Sequence, residues 1–166
     1  TKDEELRSKV YYAKNFGHHG EVEFKGVGIN SKLSEFNAAM GLVNLNYIEK
    51  ILNKRASVYK QYEDEINSGI INFQKTDSKG TSNYSYCPAI FNNEHSLLKA
   101  RSVLNQEGFA TRRYFYPTLN TLPYVHNEEC PIAEDVSRRI LCLPTHYHLE
   151  SKDVSRISTL INDSIG

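Results

Sequence analysis

The chain of 166 residues lacks an excess of charge of either sign: 20 Lys and Arg residues balance 20 Asp and Glu residues. Bulk electrostatics therefore gives no reason to expect nucleic acid or an anionic membrane as a partner. No apolar run approaches the roughly 20 residues that cross a bilayer, and no signal-peptide pattern is visible. Cysteine is scarce. Cys87, Cys130 and Cys142 are odd in number and have no metal-type spacing, which fits a reduced, cytoplasmic protein. A Gly-x-Ser-x-Gly elbow, a Walker loop and a dinucleotide fingerprint are all missing, so hydrolytic and common nucleotide-binding chemistries find little support. His146-x-His148 has metal-like spacing but would need a third ligand, and the adjacent His18 and His19 point apart on a regular backbone. There is no internal repeat and no low-complexity stretch. The length suffices for one domain with a real core.

What the sequence does have is concentrated between Gly26 and Ile66. A loop, Gly26-Val27-Gly28-Ile29-Asn30-Ser31-Lys32, runs into an amphipathic pattern in which Leu33, Phe36, Met40, Val43, Tyr47 and Ile51 recur at steps of three and four. The pattern predicts one long helix, capped at Ser34 and closing near Gly69, with Leu33 stapled onto its first turn. Ala38, Ala39 and Gly41 give it a small-residue patch. Such a patch permits close approach of another backbone or a ligand, or is plain core packing. Loop glycines, the Asn30 amide, the Lys32 ammonium and a helix N-terminus together resemble an anion site, although the signal is weak by itself.

Elsewhere the pattern is of short elements. A helix is expected over Thr1–Phe16 and a solvated turn over Gly17–Gly20. Ile70–Phe73 reads as extended, and residues 74–83 as an exposed polar loop. Strands are expected at Ser85–Phe91, Phe109–Phe115 and Leu141–Pro144, with Pro88 arguing for an edge or a bulge. Helices are expected at Glu94–Glu107, Cys130–Ile140 and Glu150–Ile165. The first has Leu97, Leu98, Ala100, Val103 and Leu104 inward and stops at Gly108. The second carries Pro131 in its first turn, and the third has Ser151 as a possible cap. This β-α-β-α-β-α order predicts an α+β domain with helices on one side of a small sheet. Arg112, Arg113, Tyr114 and Tyr116 gather cations and phenols at one strand end. They form either a recognition surface or an ordinary strand with one core face and one wet face.

Three segments carry a family resemblance, in order and over nearly the whole chain. Gly28-Ile-Asn-Ser-Lys-Leu-Ser-Glu-Phe-Asn-Ala-Ala-Met-Gly41 resembles the "G-x-N-x-R-x-S-E-x-x-A-A-x-G" segment of the DegT/StrS family, with Lys32 in place of the usual arginine. Arg55, Tyr59 and Tyr62 fit the family's later "R…Y" stretch. Thr111-Arg-Arg-Tyr-Phe-Tyr-Pro-Thr-Leu-Asn120 is similar to "T-R-x-Y-F-x-P-L-H", and Cys130 to Pro144 is similar to "x-P-x-A-E-x-x-A-x-R-x-L-x-L-P". The family comprises pyridoxal-phosphate-dependent aminotransferases of nucleotide-linked keto-sugars, with the fold type I architecture. The resemblance implies the tail of a large cofactor domain over residues 1–33 and a connecting helix over 34–68. It implies a C-terminal small α+β domain over 69–166, with a mainly antiparallel sheet and helices on one side. It places Asn30 and Lys32 at the phosphate of pyridoxal 5'-phosphate in a partner subunit of a homodimer. It places Arg112, Arg113, Tyr114, Tyr116 and Tyr124 near a nucleotide-sugar substrate, with His126 a weaker candidate. The amino group would come from a donor such as glutamate, in surface-polysaccharide or amino-sugar biosynthesis. The Schiff-base lysine is expected upstream of Thr1, so these residues alone would not catalyse. The alternative is a non-catalytic sugar-nucleotide-binding or dimerisation module of the same fold.

Overall fold

The computed structural model describes residues 1–75, 77, 79–126 and 128–165. The chain forms two compact units, Thr1–Ile48 and Glu49–Gly166.

The first unit holds α1 (Glu4–Ala13), a hairpin of β1 (His18–His19) and β2 (Glu23–Phe24), and α2 (Glu35–Leu45). Asp3 caps α1 by accepting from the Leu6 N–H. The expected turn at Gly17–Gly20 is part of the hairpin instead, with His18 opposite Phe24 and His19 opposite Glu23. Cross-strand side chains explain it: the His18 and Phe24 rings lie 4.5 Å apart, and His19 Nδ1 sits 2.8 Å from Glu23 Oε2. Gly17 and Gly20 supply left-handed backbone on either side of β1.

Ser34 caps α2 as its sequence predicts, accepting from the Asn37 N–H at 3.3 Å. The single long helix does not form. After Leu45 the Asn46 and Tyr47 N–H groups bond back three residues, to Val43 and Asn44, and α3 (Ile48–Glu65) starts anew. The apolar period therefore crosses a break that periodicity cannot register. Leu33 is 69 % exposed and staples nothing.

The second unit carries the core. The sheet has the order β3-β4-β5, all antiparallel, with β3 at Ile71–Phe73, β4 at Cys87–Phe91 and β5 at Ile140–Leu143. Pro88 thus lies in the central strand, against expectation. Its position is still locally an edge, because β3 ends at Phe73 opposite Ala89 and only β5 faces Pro88. The expected strand at Phe109–Phe115 reduces to one bridge between Arg112 and Cys142, since the chain turns away at Tyr114. The order in this unit is accordingly α3-β3-β4-α4-α5-β5-α6.

Helices α4 (Glu94–Gln106), α5 (Pro131–Arg139) and α6 (Ser151–Ile165) fall where the sequence puts them, within a residue at each end. Leu97, Ala100 and Leu104 of α4 are fully buried, but Leu98 is exposed, one step off the inward face. Val154, Ile157 and Ile161 of α6 join them with Tyr62, Phe91 and Leu141. Two helix ends are closed by unexpected groups. Gly69 does not cap α3; Asn162 of α6 does, its amide donating to Glu65 O at 2.9 Å while its carbonyl accepts from the Asn67 N–H at 3.0 Å. Ser151 does not cap α6. The Asp153 carboxylate accepts from the Glu150 N–H, and Ser151 Oγ instead donates to Gln61 Oε1.

Candidate functional site

The loop before α2 is held by backbone contacts rather than by side chains. Ile29 N–H donates to Ala13 O at 2.8 Å, Ser31 N–H to Lys14 O at 3.0 Å, and Phe16 N–H to Ile29 O at 3.1 Å. The glycines make this approach possible. A Cβ at Gly28 would stand 2.1 Å from Gly17 N, and one at Gly17 would stand 2.0 Å from Gly26 O. The glycines therefore serve close packing of the loop on the end of α1. The Ile29 and Ser31 N–H groups, engaged by α1 carbonyls, are not available to an anion.

What the loop presents outward is side chains. Asn30 is exposed, its backbone bridged to Asn15. Lys32 is also exposed. Its Nζ lies 3.4 Å from Asn15 Oδ1 and 4.7 Å from the centre of the Phe16 ring, with no carboxylate among its described partners. The two predicted anion ligands are thus displayed from one pinned loop. Behind them, α2 is uncovered: Phe36 is 76 % exposed, Met40 and Val43 about half, and nothing lies within 4 Å of a Cβ on Gly41.

In the second unit the segment after the Arg112 bridge sorts its residues into different jobs. Arg113 is turned inward, with 11 % of its side chain exposed. Its guanidinium donates at 2.7 Å to Glu94 Oε1 and to Arg138 O, and it lies 3.5 Å from the centre of the Tyr116 ring. That makes Arg113 an internal pin, its Nη2 shared between two acceptors and its Nε buried without a partner. Tyr116 is held beneath it and half exposed. Arg112 is exposed, with its guanidinium carbon 5.2 Å from the Tyr114 ring centre. Tyr114 in turn stacks on Tyr86, with centroids 5.1 Å apart and planes 18° apart, and the two hydroxyls meet at 3.5 Å. Tyr124 is 82 % exposed and His126 is exposed; neither is drawn into this group.

Tyr114 and Phe115 also line an open cleft of about 410 Å³, with Leu119, Asn120, Cys130 and Val136. Asn120 works from within. Its amide donates to Glu128 O at 2.9 Å and to Glu134 Oε1 at 2.7 Å, and the same carboxylate oxygen accepts the Cys130 N–H at 3.1 Å. These bonds, the Cys130 N–H first, hold the Glu134 carboxyl below its ordinary pKa. Arg55 of the "R…Y" stretch donates to Ser85 Oγ at 3.4 Å, while Tyr59 and Tyr62 are core residues. Burial pushes the Tyr59 phenol up to about 12 and the Tyr62 phenol higher still, so neither is an acid or base near neutral pH. Tyr86 is a surface group that sequence reasoning missed. It precedes a strand without belonging to a motif, and only the fold brings it to Tyr114.

No group of three or more metal-type side chains occurs among the described residues, so the His146-x-His148 spacing gains no third ligand there. Also among the described residues, no helix is long and apolar enough to cross a membrane.

Comparison with known proteins gives concordant matches. The model of the DegT/DnrJ/EryC1/StrS aminotransferase family matches residues 1–162. A dTDP-4-amino-4,6-dideoxy-D-glucose transaminase of Escherichia coli is 31 % identical over 171 aligned positions, covering 97 % of this chain and 46 % of the relative. The structure of DesI in the presence of its TDP-sugar product superposes with a TM-score of 0.79 at 26 % identity, covering 98 % of this chain and 43 % of DesI. S. venezuelae DesV superposes with a TM-score of 0.85 at 21 % identity, covering 98 % of this chain and 45 % of DesV. The chain spans about half the length of the relatives it matches.

Proposed function

This chain belongs to the DegT/DnrJ/EryC1/StrS aminotransferase family, and from that premise we propose that it is the C-terminal part of an enzyme that aminates a nucleotide-linked keto-sugar. The observation that carries the proposal is the family match along nearly the whole chain, joined to the fold shared with DesI at 26 % identity. Pyridoxal 5'-phosphate, when bound, supplies the electron sink that lets an amino group pass from a donor such as glutamate to a ketone.

The residues present fit one part of that cofactor, its phosphate. Asn30 and Lys32 offer an amide and an ammonium from a loop whose position is fixed by three backbone bonds. A phosphate at this loop is met by side-chain donors, the Ile29 and Ser31 N–H groups being engaged elsewhere. Lysine at position 32 gives a point charge rather than the planar fork of arginine. Both residues are exposed, and in our reading they serve a cofactor held by a second copy of the protein. Arg112, Tyr114 and Tyr116 form the substrate side, with Arg113 positioning Tyr116 rather than touching the sugar nucleotide. None of the lysines present is given the covalent role in this reading.

The test uses the complete reading frame. The protein is incubated with pyridoxal phosphate, glutamate and a panel of nucleotide-linked 3-keto and 4-keto sugars, and products are read by mass spectrometry. An amino-sugar nucleotide formed with 2-oxoglutarate supports the proposal. Failure to aminate any member of the panel, with pyridoxal phosphate left unbound, overturns it. Asn30→Ala should weaken cofactor retention about tenfold or more, the order expected for one lost charge-assisted bond in a dry site.

A further inference from the structure

Among the described residues, two that are not glycine stand in the left-handed region, Phe16 at φ 58° and Tyr84 at φ 49°. A Cβ strains that backbone, most of all under a bulky side chain. For Tyr84 packing offsets the strain: its ring meets Tyr59 and lies against the core. Phe16 gains little of this kind. It is 44 % exposed, and its one ring neighbour among the described residues is His18, edge-on at 6.2 Å. Glycine or asparagine would make the turn after α1 with less strain. Burial therefore does not account for a phenyl ring here. Its other recorded contact is Lys32, whose Nζ lies over the ring, 4.7 Å from its centre.

Lys32 needs such a contact. A lysine ends in a point charge on a flexible stem, so nothing in the side chain itself fixes where the charge stands. Two groups fix it from outside: the Phe16 ring, and Asn15 Oδ1, which accepts from Nζ at 3.4 Å. Both groups hang from one dipeptide, and that dipeptide is tied to the Asn30 loop by backbone. Asn15 bridges Asn30, and the Phe16 N–H donates to Ile29 O at 3.1 Å. Neither partner carries charge. A carboxylate would aim the ammonium and also neutralise it. A ring face and an amide carbonyl aim it and leave its charge for an anion.

We infer that Phe16 is a positioning residue, whose ring holds the Lys32 ammonium in place for the phosphate of pyridoxal 5'-phosphate. The inference rests on the phosphate reading of Asn30 and Lys32 above. It adds a residue that acts through the lysine without touching the cofactor. The strained backbone at Phe16 is then explained by what its ring does: it orders beforehand a side chain that would otherwise lose its rotamer freedom on binding.

The experiment compares two probes on the full-length protein: pyridoxal 5'-phosphate, and pyridoxal, which has the aldehyde without the phosphate. Equilibrium binding is read by absorbance. Phe16→Leu keeps the backbone strain and the apolar bulk but removes the ring face. It should weaken pyridoxal 5'-phosphate about threefold to tenfold, the order of one cation–π contact, and leave pyridoxal within about twofold. Phe16→Tyr, which keeps a ring face, should retain the preference for the phosphate. Lys32→Met should reduce that preference at least as much as Phe16→Leu does. Phe16→Leu added to Lys32→Met should change nothing further, since the ring has no ammonium left to hold. The inference is overturned if Phe16→Leu binds pyridoxal 5'-phosphate as the wild-type protein does. It is overturned equally if both probes weaken together, as a collapsed loop requires, or if the effect of Phe16→Leu persists in full beside Lys32→Met. Those three results leave the phosphate reading standing. If the wild-type protein binds the two probes alike, or Lys32→Met keeps the whole preference, the phosphate reading fails and the inference fails with it.

Discussion

The two units use apolar residues to opposite ends. In the second unit Tyr62, Phe91, Leu97, Leu104, Leu141, Ile157 and Ile161 close on one another and lose almost all contact with solvent. In the first, α1 and α2 bury no residue at all, although α2 is the more apolar helix by sequence. Its Phe36, Met40 and Val43 form a helical face that the described residues leave about half or more exposed. A fully buried side chain of that size contributes roughly 1.5–3 kcal/mol, which the first unit forgoes at each position. Amphipathic spacing states that a face is made to be covered. It does not state what covers it.

The largest expected effect tests that contrast head-on. Phe91→Ala should cost about 3–5 kcal/mol, because the residue is fully buried and its neighbours cannot collapse into the space. Phe36→Ala, the same change on α2, should stay within about 0.5 kcal/mol. Urea unfolding of the 166-residue chain, followed by circular dichroism, measures both. Equal losses would mean that the first unit has a core of its own.

How much of this was legible in the sequence follows the same division. Helices α4 and α6 were readable because each has one apolar face that its own unit buries, so period and packing agree; α5, whose one buried residue is Ser137, was readable from the proline in its first turn. The antiparallel sheet and the Ser34 cap were readable too. The break at Asn46 and Tyr47 was not, since apolar spacing continues across it. The strand expected at Phe109–Phe115 does not form beyond the single bridge at Arg112. In the fold Arg112, Arg113 and Tyr114 each answer to a different partner: a bridge to Cys142, the Glu94 carboxylate and the Tyr86 ring. Of the candidate site, the Asn30 loop was recognisable by its motif. Its glycines were misjudged, being needed for contact with α1 rather than for an anion.

A sharper pair of substitutions lies inside the first unit, where two glycines of the same motif should respond with opposite sign. Gly28→Ala places a methyl group against the backbone of Phe16 and Gly17, which cannot swing aside. Overpacking of this kind costs about 1–3 kcal/mol. Gly41→Ala meets open space in a helix interior and should stabilise α2 by about 1 kcal/mol. Amide hydrogen exchange separates them. Protection at Ile29 and Ser31 should fall in the first variant, protection along α2 should rise in the second, and α4 and α6 should stay unchanged in both. A fall along α2 on Gly41→Ala would show that its apolar face is already covered at that glycine.

The smallest effect concerns acid. Glu134 and Glu23 both have carboxyl groups held below the ordinary value of 4.5, by unlike means: in Glu134 the Cys130 N–H leads, in Glu23 the His19 side chain. A carboxyl whose folded pKa is depressed contributes stability that is fully present above its unfolded value. That contribution disappears as pH falls from about 4.5 through the lower folded value. Glu134→Gln keeps an acceptor for Asn120 but removes the charge at the start of α5, where the helix N-terminus favours an anion. Its melting temperature should lie slightly below that of the wild-type chain at neutral pH, and the gap should close as the solution is acidified past 4.5. Glu23→Gln should leave that melting transition untouched at every pH, because the hairpin it supports lies in the unit that contributes nothing to the core. A gap for Glu134→Gln that stays constant into acid would assign the effect to shape rather than charge. A shift in the core transition from Glu23→Gln would join the two units energetically and end the contrast drawn between them.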